Sequence, residues 1–162
     1  RRRHTRYPLV TGVQTCALPI CVREADYVVE AILAIEAMRP QPRFVVHLGC
    51  GDNALVSALR RRRCDGIGVD PAAKEADVHG AIGTSPSEQV PVGDGVADCV
   101  VMLGATTAGL DHAWAEIRRI ARPGAHYLLS FGRVPTAGWC AARLTGATVS
   151  RRHPFVWGRF HA

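Results

Sequence analysis

Phe44-Val45-Val46-His47-Leu48-Gly49-Cys50-Gly51-Asp52-Asn53-Ala54 runs from a short β-rich segment through a pair of glycines into a helical stretch. In that stretch Ala54, Leu55, Ala58 and Leu59 fall on one face of a helix reaching to Arg63. Gly66-Ile67-Gly68-Val69-Asp70 then supplies a second buried strand, closed by Pro71. Strand, glycine turn, helix and strand at this spacing make one βαβ unit. Glycines at such a turn let a ligand approach the backbone, and the start of the helix presents N–H groups that have no partner within it. Asp70 lies nineteen residues after Gly51, where a carboxylate at a strand end can accept hydrogen bonds from both hydroxyls of a ribose. Together these features point to an adenosine-containing cofactor. The same letters loosely satisfy the Gly-x-Gly-x-x-Ala fingerprint of dinucleotide enzymes, and Asp52 bears on the choice. A carboxylate in the first helical turn gains roughly 0.3 to 1 kcal/mol from the helix dipole but repels a pyrophosphate placed there. A plain helix cap explains Asp52 equally well.

Outward from this unit, Val28, Val29, Ile32, Leu33, Ile35 and Ala37 recur at helical spacing over residues 25–38, and Arg39-Pro40-Gln41-Pro42 stops that helix. Residues 71–97 are rich in Gly, Pro, Ser and Asp, with one weak strand over 78–82. Asp98-Cys99-Val100-Val101-Met102-Leu103 is an apolar strand of the kind covered on both faces in a parallel sheet. Leu110, Trp114, Ile117 and Ala121 form a helical stripe with Arg118, Arg119 and Arg122 turned outward. After Pro123-Gly124 another strand spans 126–131, a helix fits 136–144, and residues 147–151 and 155–160 read as two closing strands joined through His153-Pro154. Alternating strands and helices predict a doubly wound α/β domain with a single core.

Residues 1–20 are set apart from this domain. Arg1-Arg2-Arg3-His4-Thr5-Arg6 and Val10-Thr11-Gly12-Val13-Gln14-Thr15-Cys16-Ala17-Leu18-Pro19-Ile20 read as the translation of the two ends of a short-read sequencing adapter, with Tyr7-Pro8-Leu9 at the sample index. The expectation is a non-native segment, excluded from fold reasoning, followed by an N-terminally truncated fragment. Residues 21–42 are then the helix and linker of a shortened cap region, and 43–162 the ligand-binding domain. The segment holds four arginines and no acidic residue, so without it the formal charge of +6 falls to +2 over 142 residues. A balance so near neutral argues against nucleic acid as a partner. The remaining cysteines, Cys21, Cys50, Cys64, Cys99 and Cys140, form no C-x-x-C pair and no Cys/His cluster at zinc spacing, so no metal site is expected. They read as reduced thiols of a cytoplasmic protein, and no apolar run reaches the roughly 20 residues that cross a bilayer.

Four segments in order carry a resemblance to the class I S-adenosylmethionine-dependent methyltransferases, of the small-molecule, type 11-like kind. Val45-Val46-His47-Leu48-Gly49-Cys50-Gly51 resembles their first glycine-rich motif and Gly68-Val69-Asp70 their second. Val90-Pro91-Val92-Gly93-Asp94-Gly95-Val96-Ala97-Asp98-Cys99-Val100-Val101 resembles the segment entering their fourth strand. Glu116-Ile117-Arg118-Arg119-Ile120-Ala121-Arg122-Pro123-Gly124-Ala125 resembles the one before their fifth. The resemblance implies a Rossmann-like, mostly parallel sheet with an antiparallel last strand, and S-adenosyl-L-methionine as cofactor. It implies that Gly49 and Gly51, with Cys50 packed between them in the cofactor-binding set, contact the methionine and ribose parts, that Asp70, with Pro71 beside it, holds the ribose hydroxyls, and that Leu103 and Gly104 lie beneath the reactive methyl. His47 stands where the family has an acidic residue, and Pro86, between Ser85 and Ser87, stands where an acid reaches the adenine amino group. His47, Ser85 and Ser87 complete the expected cofactor-binding set.

Methyl transfer from a sulfonium needs alignment above all, and a base only when the acceptor must lose a proton. His112 is the candidate base, set against an exposed first-turn histidine. Thr106 and Thr107 either line an acceptor pocket or serve the loop alone. Arg60-Arg61-Arg62-Arg63 reads as a solvated helix C-terminus, with contact to an acidic substrate as the alternative. No Asp/Asn-Pro-Pro-Tyr/Phe segment follows the fourth strand, which argues against amino methylation of nucleic-acid bases. The leading expectation is transfer of a methyl group to a small molecule. A degenerate methyltransferase fold acting as a binding or scaffolding subunit is the alternative that His47 and Pro86 raise, and a nicotinamide oxidoreductase is third.

Overall fold

The computed structural model describes residues 24–73, 81–83, 89–131, 144, 148–149 and 155–160. Residues 1–20, Ser85 to Ser87, the helix expected over 136–144 apart from Leu144, and the His153-Pro154 link lie outside the described residues. Seven strands, β1 Phe44–Leu48, β2 Asp65–Val69, β3 Ala81–Ile82, β4 Ala97–Ala105, β5 Ala121–Phe131, β6 Thr148–Val149 and β7 Phe155–Arg159, form one sheet. Its order is β3-β2-β1-β4-β5-β7-β6. The first five are parallel, β7 runs antiparallel to β5, and β6 pairs antiparallel with β7. Helices α1 Glu24–Ala37, α2 Ala54–Arg60 and α3 Thr107–Ile120 cover the sheet. No helix among the described residues is long and apolar enough to cross a membrane.

The alternation of side chains along a strand sends Val45 of β1, Cys99 and Val101 of β4 and Leu128 of β5 to one face, against Ile32 and Ile35 of α1 and Leu55 and Leu59 of α2. Val46, Leu48, Val100 and Leu129 go to the other face, against Leu110, Ile117 and Ile120 of α3. The single core expected from sequence is therefore two apolar clusters, because a sheet roofed by helices on both sides must bury both faces. Cys64 and Cys99 are buried, and burial pushes the Cys64 thiol up to about 11.

Three local readings change. Helix α2 ends at Arg60, three residues early, because Arg63 takes a left-handed φ of 62° and Cys64 N–H returns to the Leu59 carbonyl. Strand β5 starts at Ala121 rather than His126: Ala97 pairs with Ala121, pairing resumes at Cys99 with His126, and Arg122 to Ala125 bulge out around Gly124 at φ 75°. Arg119 does not turn outward. Its Nη1 and Nη2 donate to the carbonyls of Val92 and Val90 at 2.9 Å each, and its Nε donates to Glu116 at 2.8 Å. Asp94 completes its partners, and Val90 N–H donates to Glu116 at 2.7 Å. Two motifs that are distant in sequence are thus the two halves of one polar clamp.

Candidate functional site

The strand order reverses at β1, which lies between β2 and β4, and ligands of open α/β sheets bind outside the carboxyl ends of the strands at such a point. Register places those ends level. Leu48 pairs with Val69 on one side and Met102 on the other. The next residue of each strand, Gly49, Asp70 and Leu103, therefore leaves the sheet at the same height.

Gly49 N–H and Cys50 N–H both donate to the Val69 carbonyl, at 2.7 and 3.2 Å, which ties the turn to β2. Gly49 and Gly51 hold φ of 70° and 53°, values that side-chain-bearing residues adopt only under strain. Close packing of this turn also demands a glycine on β2: a Cβ at Gly68 would meet Asn53 Oδ1 at 2.2 Å and Cys50 Sγ at 2.6 Å. Gly51 N–H donates to Asp70 Oδ2 at 3.0 Å, and Ala72 N–H donates to Oδ1 at 2.8 Å, so the carboxylate is held at the rim with lone pairs to spare. Asp52 Oδ1 accepts from the N–H of Ala54, the first residue of α2, at 3.0 Å, from one position ahead of the N-cap, Asn53.

On the other side, Leu103 and Gly104 form a bulge in β4: Met102 pairs with Leu129, and Ala105 with Phe131. Gly104 has φ 67°, and its N–H donates to the hydroxyl of fully buried Ser130 at 2.8 Å. A Cβ added at Gly49 or Gly104 would meet nothing within 4 Å, so both backbones look onto open space.

These groups enclose a cavity of about 320 Å³. His47, Gly49, Cys50, Gly51, Asp70, Leu103 and Gly104 of the expected set all line it. Pro71 follows Asp70 but is exposed and does not. Ser85 and Ser87 lie outside the described residues. His112 is exposed in the second turn of α3 and is not part of the lining, and Thr106 caps α3 by accepting from Gly109 N–H at 3.0 Å. Sequence reasoning missed Tyr27 and Val28 of α1 and Leu55 of α2 as walls, since only tertiary packing brings α1 over the turn. No group of three or more His, Cys, Asp or Glu among the described residues could hold a metal.

His47 is the unusual wall. It is 4% exposed, and neither ring nitrogen has a hydrogen-bond partner. Burial lowers its pKa to about 4, with Asp70 and Asp52 pulling weakly the other way, so the imidazole is neutral at neutral pH.

The methyltransferase-domain family profile matches residues 46–129, more than half of the chain. The chain belongs to that family. S-adenosylmethionine is accordingly the cofactor of this methyltransferase domain, and its sheet is the class I methyltransferase fold. No curated protein matches the domain in sequence. Among solved structures, it is similar to 1,6-didemethyltoxoflavin-N1-methyltransferase of Burkholderia thailandensis, solved with S-adenosylhomocysteine, at 12% identity and a TM-score of 0.62, over 83% of this chain and 78% of that one. Geranyl diphosphate C-methyltransferase of Streptomyces coelicolor A3(2) matches at 17% identity and a TM-score of 0.54, over 65% and 45% of the two chains. CalS10, an amino pentose methyltransferase of Micromonospora echinaspora solved with S-adenosylmethionine, matches at 20% identity and a TM-score of 0.53, over 68% and 51%. The methyltransferase domain thus spans about half the length of the latter two.

Proposed function

We propose that this chain is an S-adenosylmethionine-dependent methyltransferase acting on a small molecule, with the cofactor in the cavity at the carboxyl ends of β1, β2 and β4. The observation that carries the reading is the convergence there of Asp70, hydrogen-bonded to Gly51, with the open backbone of Gly49 and Gly104. In this assignment Gly49, Cys50 and Gly51 border the methionine and ribose, Asp70 uses its spare lone pairs on the ribose hydroxyls, and Leu103 and Gly104 form the floor. The orphaned nitrogens of His47 fit the same cofactor, because its polar methionine end supplies the partner that the protein withholds. When bound, the cofactor supplies an electrophilic methyl on a sulfonium. The protein's part is to hold the acceptor in line with it and to exclude water.

Among the described residues the lining contains two carboxylates, Asp52 and Asp70, and no cation, which disfavours a pyrophosphate and with it the nicotinamide reading. A small acceptor is supported by the neighbours of like fold, which are named for a toxoflavin precursor, geranyl diphosphate and an amino pentose.

Thermal unfolding with S-adenosylhomocysteine tests the assignment. At a hundred times its dissociation constant the ligand adds roughly 2.7 kcal/mol, several degrees in Tm for a domain of this size, with no shift from NAD. His47 favours the second reading, a fold that has lost its cofactor and serves as a binding subunit. A cooperative transition that S-adenosylhomocysteine leaves unmoved, but moves in His47→Asp, would establish that reading.

A further inference from the structure

The register that levels the carboxyl ends of the strands also levels their amino ends. Phe44 pairs with Asp65, Val45 with Cys99, and Ala97 with Ala121. Arg43, Arg63 and Arg122 are thereby gathered at the edge opposite the cofactor cavity, about 16 Å away for a strand of five residues. With Arg62 they line a separate groove of about 580 Å³ whose remaining walls among the described residues are Pro40, Gln41 and Pro42, with no carboxylate among them.

The four guanidiniums are not equivalent. Arg62 donates to the Ala58 carbonyl at 3.2 Å and pairs with Glu36 at 3.2 Å. Arg122 pairs with Asp98 at 2.7 Å, and that buried carboxylate, behind the groove, also accepts from the N–H groups of Arg43 and Phe44 at 2.7 and 3.0 Å. The side chains of Arg43 and Arg63 are exposed and make no hydrogen bond or ion pair among the described residues. Two positive charges in one groove are therefore uncompensated. Arg63 holds its place at φ 62°, a left-handed conformation that glycine would occupy at lower cost. The tetra-arginine run thus divides. Arg60 turns to Asp65 and the Gly66 carbonyl, while Arg62 and Arg63 face Arg43 and Arg122.

We propose that this groove binds a small molecule through a phosphate group, a monoester or a diphosphate, independently of the cofactor site. Planar guanidinium forks match phosphate oxygens two at a time, and two uncompensated charges answer the roughly two negative charges of such a group at neutral pH. A groove of this volume between proline walls suits a compact ligand rather than an extended strand. Isothermal titration of the full chain with inorganic phosphate, inorganic pyrophosphate and malonate tests this. The expected result is millimolar or tighter binding of a phosphate probe, at least tenfold tighter than malonate, and at least tenfold weaker in R43Q/R63Q. The relative strength of phosphate and pyrophosphate tells the monoester from the diphosphate. Arg63→Gly controls for folding, since it relieves the left-handed residue. It is expected to melt no lower than the parent and to bind the phosphate probe more weakly. Absence of binding, equal binding of malonate, or binding unchanged in R43Q/R63Q overturns the proposal. So does an RNA oligonucleotide that binds through the same arginines more tightly than pyrophosphate, which would make the groove a nucleic-acid contact.

Discussion

A neutral imidazole sealed under a glycine turn makes the stability of this protein sensitive to acid. Folding holds the His47 pKa near 4, whereas an unfolded histidine titrates near 6.5, so between these values the unfolded chain binds more protons. Stability is present in full above pH 6.5 and falls as pH drops through 6.5 towards 4, by on the order of 3 kcal/mol. Urea denaturation at pH 7 and pH 4.5 should show this loss, and His47→Asn should show a shallower one. His47→Leu removes two buried, unpartnered polar atoms, each a burden of about 1 to 3 kcal/mol. That variant is expected to match or exceed the parent in Tm without ligand while binding S-adenosylhomocysteine more weakly, and a lower Tm with unchanged binding would assign His47 to packing alone. Asp70→Ala is expected to weaken S-adenosylhomocysteine at least tenfold by calorimetry, about 1.4 kcal/mol. Position 47 could be read as a departure from its family in sequence. That its nitrogens lack partners could not, because α1 and β4, which share the cavity wall with it, lie about 20 and 50 residues away along the chain.

At the scale of elements, local pattern was a good guide wherever a segment answers to itself. Strands β1, β2 and β4 and helices α1 and α3 fall within a few residues of their expected bounds, since periodicity is a property of the segment. Arg119 misled because it stands off the apolar stripe of α3, and only the fold of residues 90–94 over that helix gives it partners. Glu116→Ala should free that segment. Its carboxyl is held below the usual range chiefly by the hydrogen bond from Arg119, and removing it should lower stability by about 1 to 3 kcal/mol in urea, with lost amide protection over residues 89–95. The bulge in β4 was equally hidden, because an extra residue in one strand is defined by its partner. Ser130 is its anchor from β5. Ser130→Ala is expected to raise the dissociation constant of S-adenosylhomocysteine severalfold with little change in Tm, and a large drop in Tm without loss of binding would make Ser130 an ordinary core residue.

For the molecule as a whole, the four motifs foretold the parallel sheet, and the strand order then fixed which edge carries the cavity. Composition could not reveal the groove at the other edge. The arginines that build it are 79 residues apart at the extremes, Arg43 and Arg122, and a formal net charge of +6 for the whole sequence says nothing of where on the fold the charge gathers. Register is the common cause of both sites, because pairing Leu48 with Val69 and Met102 aligns one set of strand ends and, five residues back, the other.

That alignment also dictates where the chain can change. One residue inserted between Phe44 and Leu48 would exchange the two buried faces of β1 and carry Gly49 away from Asp70 and Leu103. Segments that depart from the strand ends are under no such constraint, and doubling the length of a loop adds only about 0.6 kcal/mol of closure entropy. Variation can therefore accumulate in the stretches after β3 and β4, while the seven-stranded frame passes unaltered from one variant to the next.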